Sequence, residues 1–244
     1  MIYEHPLAYL LGLEGIALLR SFTGEYDRDF VDTLPVGVAL DAACGTGRFA
    51  ASLTERGHQI LGVDSSPDML ARARERVPQG EFLLGDLHHL PVPDDAVDLV
   101  VCSLALTHVP ALKPVMAEFA RVLRPGGHLV ISDIHPEGVA RGVIPPVRRP
   151  DGQPGRLATY RHLTGDYMRA ALPVGLQVRR CEGPRVPAVE RPQPTDTPRA
   201  SETIGPWEHW PWCLTALASE AARAANAGVP TMIVWHFQLT EHQP

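Results

Sequence analysis

Short apolar runs recur along the chain, and several of them end on an acidic or small polar residue. Between the runs, apolar residues return at helical spacing and stop at glycine or proline. This alternation predicts strands that are buried on both faces of a largely parallel sheet covered by helices. The expected strands are residues 36–40, 59–63, 81–84, 97–102, 128–134, 176–178 and 231–237. We therefore predict an α/β fold with a doubly wound, mostly parallel, seven-stranded sheet.

The first expected strand leads directly into a glycine-rich turn, Asp41-Ala42-Ala43-Cys44-Gly45-Thr46-Gly47, and then into a helical pattern. Gly45 and Gly47 lack a Cβ atom, so they permit positive φ angles and let a ligand approach the backbone closely. The helix that follows presents unpaired N–H groups at its start. Such a turn is typical of nucleotide-like ligands. Because residues 45–50 also satisfy the G-x-G-x-x-A dinucleotide pattern, a nicotinamide enzyme is an open alternative at this point.

Polar residues follow three further strands. Asp64 ends the second strand about 20 residues after the glycines, where a carboxylate can accept hydrogen bonds from both hydroxyls of a ribose. The sequence Ser66-Pro67-Asp68 predicts a helix start, which places Met69 near an adenosine held by Asp64. Gly85-Asp86 follows the third strand and Ser103 the fourth. Since the carboxyl ends of parallel strands form one crevice, we expect a ligand site there.

The second half of the chain carries the expected insertions. Residues 139–162 are typical of a hairpin, with 143–144 and 157–160 flanking the turn Asp151-Gly152, and we interpret it as a substrate lid. Thr164 could cap a short helix that extends to Leu172. A proline-rich stretch at 184–211 and its border contain three tryptophans that either pin the loop or line a pocket: Trp207, Trp210 and Trp212. Residues 214–227 form an alanine-rich helical pattern.

We treat the 244 residues as one domain with four parts: a helical preface at 1–35, a ligand-binding half at 36–134, lid insertions and a sixth strand at 135–212, and a last helix and strand at 213–244. The net charge of -6 gives no electrostatic reason to bind nucleic acid or an anionic membrane. No secretion signal is recognisable, and no apolar run approaches about 20 residues, so we expect a cytoplasmic protein.

The metal-ligating residue types show no convincing ligand spacing. The four cysteines are scattered without a C-x-x-C pair, which argues against a disulfide scaffold and against a thiolate zinc site. His88 and His89 are adjacent, and neighbouring side chains generally point apart. We therefore expect no metal ion and a small-molecule partner, and the sequence does not determine the oligomeric state.

These motifs together closely resemble class I S-adenosylmethionine-dependent methyltransferases of the small-molecule type. The resemblance covers about residues 36–135 and rests on the Asp41–Gly47 loop, Asp64, Gly85-Asp86, Asp98 and Leu123-Arg124-Pro125-Gly126-Gly127. A nicotinamide dehydrogenase has no reason to carry Gly85-Asp86 and the Leu123–Gly127 element in this register. The resemblance implies a Rossmann-like fold with an antiparallel last strand, and S-adenosyl-L-methionine as cofactor.

In that family the loop backbone holds the methionine part, the acid after the second strand holds the ribose, and an acid like Asp86 receives the adenine amino group. The cofactor-binding residues implied by the resemblance are Asp41, Ala43, Cys44, Gly45, Gly47, Asp64, Ser65, Met69, Gly85, Asp86, Leu87 and Ser103. Ala43 departs from the pattern, because the family usually has glycine there. We expect its methyl group to crowd the loop without abolishing binding.

Methyl transfer from a sulfonium depends mainly on alignment of nucleophile, methyl carbon and sulfur, and a base adds less. The expected acceptor is an O, N or C nucleophile of a small organic molecule, such as a specialised metabolite. His135 and His162 are the candidate bases, whereas His108 looks more structural. Two alternatives are a non-catalytic S-adenosylmethionine-binding sensor or scaffold and, less favoured, a nicotinamide-dependent oxidoreductase.

Overall fold

The computed structural model describes residues 31, 33–141, 146–148, 154–185, 228–230 and 232–241. Its strands are β1 Val38–Ala42, β2 Gln59–Asp64, β3 Glu81–Leu84, β4 Val97–Ser103, β5 Leu123–Ile134, β6 Pro146–Arg148, β7 Pro154–Arg156, β8 Leu176–Glu182 and β9 Met232–Leu239. Its helices are α1 Arg48–Glu55, α2 Pro67–Arg76, α3 Leu112–Val122, α4 Pro136–Ala140 and α5 Thr164–Ala171, with 3-10 turns at Leu106–His108 and Leu172–Val174.

The main sheet has seven strands in the order β3-β2-β1-β4-β5-β9-β8. Strands β1 to β5 pair in parallel, and β9 lies antiparallel between β5 and β8. The chain moves outward from β1 to β3 and then crosses back to β4, so the strand order reverses between β1 and β4. In doubly wound sheets a ligand crevice opens at that reversal, outside the carboxyl ends of the strands. The doubly wound sheet and its antiparallel last strand are confirmed.

Helices cover both faces of the sheet, which explains why its central strands are apolar on both sides. On one face α3 and α5 bury Phe119 and Tyr167 against Trp235 and Phe237 of β9. On the other face α1 and α2 bury residues that include Leu53. The expected start of α2 is also present, since the Ser66 hydroxyl caps this helix and Pro67 is its first residue.

Several boundaries differ from the sequence-based expectation, and the first strand lies two residues later than expected, at Val38–Ala42. The hairpin exists, but its strands are β6 and β7 instead of 143–144 and 157–160, because residues 157–163 bond elsewhere. Thr164 is the first residue of α5 and not its cap, since the Asp166 carboxylate accepts the Leu163 N–H at 2.8 Å. Strand β5 starts at Leu123, before the glycine turn, because the β4–β5 register shifts between Val97 and Leu99 and leaves room for the turn. Strand β8 extends to Glu182, beyond the expected end at residue 178.

Several expected features lie outside the described residues: most of the helical preface, the three clustered tryptophans and the alanine-rich helix at 214–227. Among the described helices, none is long and apolar enough to cross a membrane.

Candidate active site

The turn after β1 contains three residues with left-handed backbone conformation. They alternate along the turn: Ala43 has φ 61°, Gly45 φ 53° and Gly47 φ 71°. For a residue with a Cβ atom this conformation costs about 1–2 kcal/mol, so Ala43 is strained where glycine would not be. The cost of alanine at this position is therefore conformational and is present without any ligand.

The two glycines of the turn serve different purposes. A Cβ atom added to Gly45 would meet no atom within 4 Å, so open space lies beside its backbone. A Cβ atom on Gly47 would lie 3.0 Å from Ala73 of α2, so Gly47 lets α1 and α2 approach each other closely. Gly45 thus provides the exposed backbone that a ligand could contact, and Gly47 provides the packing that holds it in place.

Neighbouring elements fix the turn from two sides. The Gly45 N–H donates to Oδ2 of Asp64 at 2.8 Å, and the Cys44 N–H donates to the Val63 carbonyl at 3.0 Å. From α2 the Arg76 guanidinium donates to the Thr46 hydroxyl at 2.7 Å and also to the Thr46 carbonyl. The conformation of the turn is therefore set by β2 and α2 before a ligand binds.

Asp64 stands at the carboxyl end of β2 with both carboxylate oxygens bonded. Oδ2 accepts the Gly45 N–H, and Oδ1 accepts the Ser66 N–H at 2.9 Å. An ionised carboxylate offers about four acceptor positions, so two remain for hydroxyl groups of a ligand. Ser65, the next residue, is exposed, and Met69 is half-buried one turn into α2.

Asp86 lies beside Asp64 at the same edge of the sheet, because the Gly85 N–H donates to the Asp64 carbonyl at 3.1 Å. The Asp86 side chain is exposed, and its Oδ1 accepts the His88 N–H at 2.7 Å and contacts His88 Nδ1 at 2.6 Å. These bonds lower the pKa of Asp86 and keep it ionised. Gly85 cannot carry a side chain, since a Cβ atom would lie 2.5 Å from Pro91, and Leu87 is half-buried.

The side chains of Asp41 and Cys44 are buried under the backbone of the turn. Asp41 is 2% exposed, and its Oδ2 accepts the Ala50 N–H at 3.0 Å. Ala50 lies in the first turn of α1, so this bond satisfies one of the N–H groups at the start of the helix. Burial raises the pKa of Asp41 to about 7, the Ala50 hydrogen bond opposes this, and the nearby Asp64 charge adds to it. Burial and both carboxylates raise the pKa of the Cys44 thiol, so a reactive thiolate is disfavoured. Their placement indicates support of the turn from below.

The end of β4 is bonded to β5. The Ser132 hydroxyl donates to the Ser103 hydroxyl at 2.9 Å, and the Leu104 N–H donates to the Ser132 carbonyl at 2.8 Å. Leu104 has φ 55°, a conformation that leucine rarely adopts. The chain therefore turns sharply at the crevice, directly after Ser103.

The segment 157–163, which we call the strap, runs from the hairpin to α5. It is bonded to three consecutive residues after β4. The Tyr160 N–H donates to the Thr107 carbonyl at 2.7 Å, His108 Nδ1 lies 2.8 Å from the Ala158 carbonyl, and His162 Nε2 lies 2.8 Å from the Val109 carbonyl. The strap therefore lies over the carboxyl end of β4, on the side of the crevice away from Asp64 and Asp86.

The two histidines expected to be bases have different surroundings. His135 Nδ1 accepts the Glu137 N–H at 3.2 Å and so caps α4, while burial lowers the pKa of His135. The His162 ring stacks with Tyr160 at a centroid distance of 6.4 Å and meets the edge of Tyr167 at 6.2 Å. His135 belongs to the end of β5 and His162 to the strap. Their catalytic roles stay predictions.

Sequence reasoning missed Asp133, Thr107 and Arg76. Asp133 is fully buried and bonded to Thr107, and the signal for it was a carboxylate inside an otherwise apolar strand. Arg76 gave no signal, because its contact with the glycine turn is about 30 residues distant in the chain. In the ranges that the structure describes, no three His, Cys, Asp or Glu side chains form a group that could hold a metal ion.

The sequence of this chain is similar to those of known methyltransferases. A family model described as "Methyltransferase domain" matches residues 40–131. Over 121 residues the chain is 36% identical to the malonyl-[acyl-carrier protein] O-methyltransferase of Serratia marcescens, with 50% of this chain and 48% of that protein covered. Over 114 residues it is 36% identical to the arsenite methyltransferase of Halobacterium salinarum, with 43% and 29% covered. The chain spans less than half the length of either relative.

The fold is similar to that of solved methyltransferases. A crystal structure of an S-adenosylmethionine dependent methyltransferase from Mesorhizobium loti matches with a TM-score of 0.58 and 23% identity, covering 85% of this chain and 94% of that one. The family match spans Gly45, Asp64 and Asp86, so it decides between the two interpretations of residues 45–50. Residues 40–131 therefore match the methyltransferase family model, and the fold is that of S-adenosylmethionine-dependent methyltransferases.

Proposed function

We propose that this protein transfers a methyl group from S-adenosylmethionine to an O, N or C nucleophile of a small organic molecule, by direct displacement. The observation that carries the proposal is the hydrogen bond from Gly45 to Asp64, at the end of β1 and beside the point where the strand order reverses. It brings an open stretch of backbone and a hydroxyl-binding carboxylate together in the crevice. A ligand with a charged amino acid part and a ribose requires these two groups side by side.

The residues present fit this cofactor. The open space beside Gly45 suits the methionine part, and the two remaining acceptor positions of Asp64 suit the ribose hydroxyls. Asp86 is exposed and ionised, so it can accept a hydrogen bond from the adenine amino group. When bound, the cofactor supplies an electrophilic methyl group on a sulfonium. The protein's own task is to hold that group and to align the acceptor with it.

The hydrogen bonds of the two candidate bases support His162 over His135. A ring nitrogen that bonds to a carbonyl oxygen must carry the proton, so the lone pair of neutral His162 is on Nδ1. His135 already uses its Nδ1 lone pair to accept the Glu137 N–H. As a base, His135 would have to give up its bond to the start of α4. His162 can take a proton while its bond to Val109 is retained.

Surface chemistry supports a small organic acceptor. The strap exposes the aromatic ring of Tyr160 and the side chain of Leu163, which are 37% and 45% exposed. The net charge of -6 adds no attraction for polyanions. The two relatives are named for different acceptors, and their similarity supports the methyl donor more than any one acceptor.

Transfer of tritium from methyl-labelled S-adenosylmethionine to a panel of small phenols, amines and carboxylic acids tests the function. The expected result is label in at least one acceptor, with the demethylated cofactor product formed in equal amount. The Asp64→Ala variant should lose the transfer at low cofactor concentration, and Asp68→Ala, an exposed acid on α2, is the matched control. Binding of the cofactor without transfer to any member of a broad panel would favour a sensor or scaffold.

A further inference from the structure

We infer that Asp133 is a positioning residue for the acceptor side of the site, because its buried carboxylate fixes the turn that holds the strap. The inference rests on the proposed function, since it concerns where the acceptor is held. It assigns a role to a residue that does not line the cofactor half of the crevice.

Asp133 is 0% exposed, and both of its oxygens are bonded. Oδ2 accepts the Thr107 N–H at 2.8 Å, while Oδ1 accepts the Thr107 hydroxyl and the Ile134 N–H, the latter at 2.7 Å. Burying a carboxylate is unfavourable unless hydrogen bonds compensate for the lost water. An apolar residue would fill this strand position at lower cost. The carboxylate therefore fixes one specific partner, which is Thr107.

Thr107 is the first of three consecutive residues, 107–109, to which the strap is bonded, and we call these three residues the platform. The Thr107 carbonyl accepts the Tyr160 N–H, and the next two residues, His108 and Val109, bond to the Ala158 carbonyl and the His162 ring. All three bonds join the same two short segments. A shift of Thr107 must therefore move or release the strap as a unit.

The position of the platform connects it to the acceptor. It follows the left-handed Leu104 at the end of β4, and β5 holds it through Ser132 and Asp133. The strap begins directly after β7, so the hairpin that we interpret as a lid is attached to the same platform. Of the expected cofactor-binding residues, all except Ser103 lie on β1, β2 and β3 or in the segments directly after them, among them Gly45, Asp64 and Asp86. Loss of the Asp133 contact should therefore affect the acceptor side selectively.

Two substitutions at Thr107 separate this role from general stability. Thr107→Val removes the hydroxyl with little change in volume and keeps the backbone N–H, whereas Thr107→Ser keeps the hydroxyl and is the matched control. Asp133→Asn changes the other side of the same contact. The readouts on the full-length protein are hydrogen exchange of residues 157–163 and of α1, calorimetric binding of S-adenosylhomocysteine, and the ring-nitrogen NMR spectrum of His108.

In Thr107→Val, exchange of residues 157–163 should accelerate about tenfold, since a buried hydrogen bond that fixes Thr107 is lost. Exchange in α1 and affinity for S-adenosylhomocysteine should stay within about twofold, the limit expected for distant sites. His108 should leave the Nδ1–H tautomer that the Ala158 carbonyl imposes. Thr107→Ser should restore the wild-type values.

Unchanged exchange and an unchanged His108 tautomer in Thr107→Val would overturn the inference, whether or not the melting temperature falls. Parallel loss of S-adenosylhomocysteine affinity would overturn it as well, because the effect would then not be confined to the acceptor side. If Asp133→Asn does not fold, Thr107→Val and Thr107→Ser decide alone. None of these readouts requires methyl transfer, so a failure of the proposed function would appear separately, as absence of tritium transfer by the wild-type protein.

Discussion

The amide nitrogen of Gly45 lies 2.8 Å from Oδ2 of Asp64, and this bond joins the turn after β1 to the acidic end of β2. Asp64 therefore has two proposed roles: it accepts hydroxyl groups of the cofactor, and it holds the backbone that we propose contacts the methionine part. A substitution at Asp64 changes both at once. The affinity lost in Asp64→Ala is thus an upper limit for the ribose contact alone.

Replacing Ala43 by glycine should improve the turn. Ala43 has φ 61°, so Ala43→Gly removes strain of about 1–2 kcal/mol, partly offset by the greater freedom of glycine in the unfolded chain. We expect equal or tighter binding of S-adenosylhomocysteine in calorimetry and no loss of melting temperature. Gly45→Ala is the paired variant, and it should bind more weakly because its methyl group enters the open space. Weaker binding by Ala43→Gly would contradict the strain argument.

Arg76 should contribute to cofactor affinity without touching the cofactor. Its guanidinium holds the Thr46 hydroxyl and carbonyl, so Arg76→Ala should loosen the turn and weaken S-adenosylhomocysteine binding about two- to five-fold, in line with an exposed hydrogen bond of about 0.5–1 kcal/mol. Calorimetry on Arg72→Ala, from the same helix, is the control. Equal effects of the two substitutions would indicate a general effect of charge on α2.

The buried Asp41 should make stability depend on pH. Its pKa is raised from 3.8 to about 7, so the folded state favours the protonated form. The corresponding stabilisation is complete below about pH 4 and is lost as the pH rises through about 7. Asp41→Asn does not titrate, and its amide oxygen can still accept the Ala50 N–H. Its melting temperature minus that of the wild type should therefore increase by a few degrees between about pH 4 and 8. A constant difference over this range would show that Asp41 does not titrate there.

Turnover should separate the two candidate bases. If His162 is the base, His162→Ala should lower turnover by about 10²-fold while S-adenosylhomocysteine affinity stays within a few-fold. His135→Asn keeps a side chain that can cap α4 and removes the imidazole, so its turnover should stay near the wild-type value. The rates are measured with an acceptor found by tritium transfer. The opposite result would assign the role to His135, and full activity in both variants would leave alignment as the source of catalysis.

The sequence predicts the sheet well because its central strands are buried on both faces, which produces the apolar runs at 38–40 and 97–102. Val36, expected in the first strand, precedes it and is exposed. The sequence also places Gly45, Asp64 and Asp86 at or just after the ends of neighbouring strands, since motifs at the ends of strands are local, and their roles toward the cofactor stay predictions. The hairpin boundary was wrong because residues 157–163 bond to Thr107–Val109, about 50 residues earlier. Such pairings leave no periodic signal. For the same reason the Asp133–Thr107 contact could not be anticipated, although the carboxylate in an apolar strand marks the position.

Calorimetric titration with S-adenosylhomocysteine tests the central claim most directly, because it requires no knowledge of the acceptor. The wild-type protein should bind it, Asp64→Ala should bind about ten- to hundred-fold more weakly, and Asp68→Ala should match the wild type. Reduced nicotinamide dinucleotide should give no comparable heat. Absence of S-adenosylhomocysteine binding by the wild type, or unchanged affinity in Asp64→Ala, would contradict the account of the site.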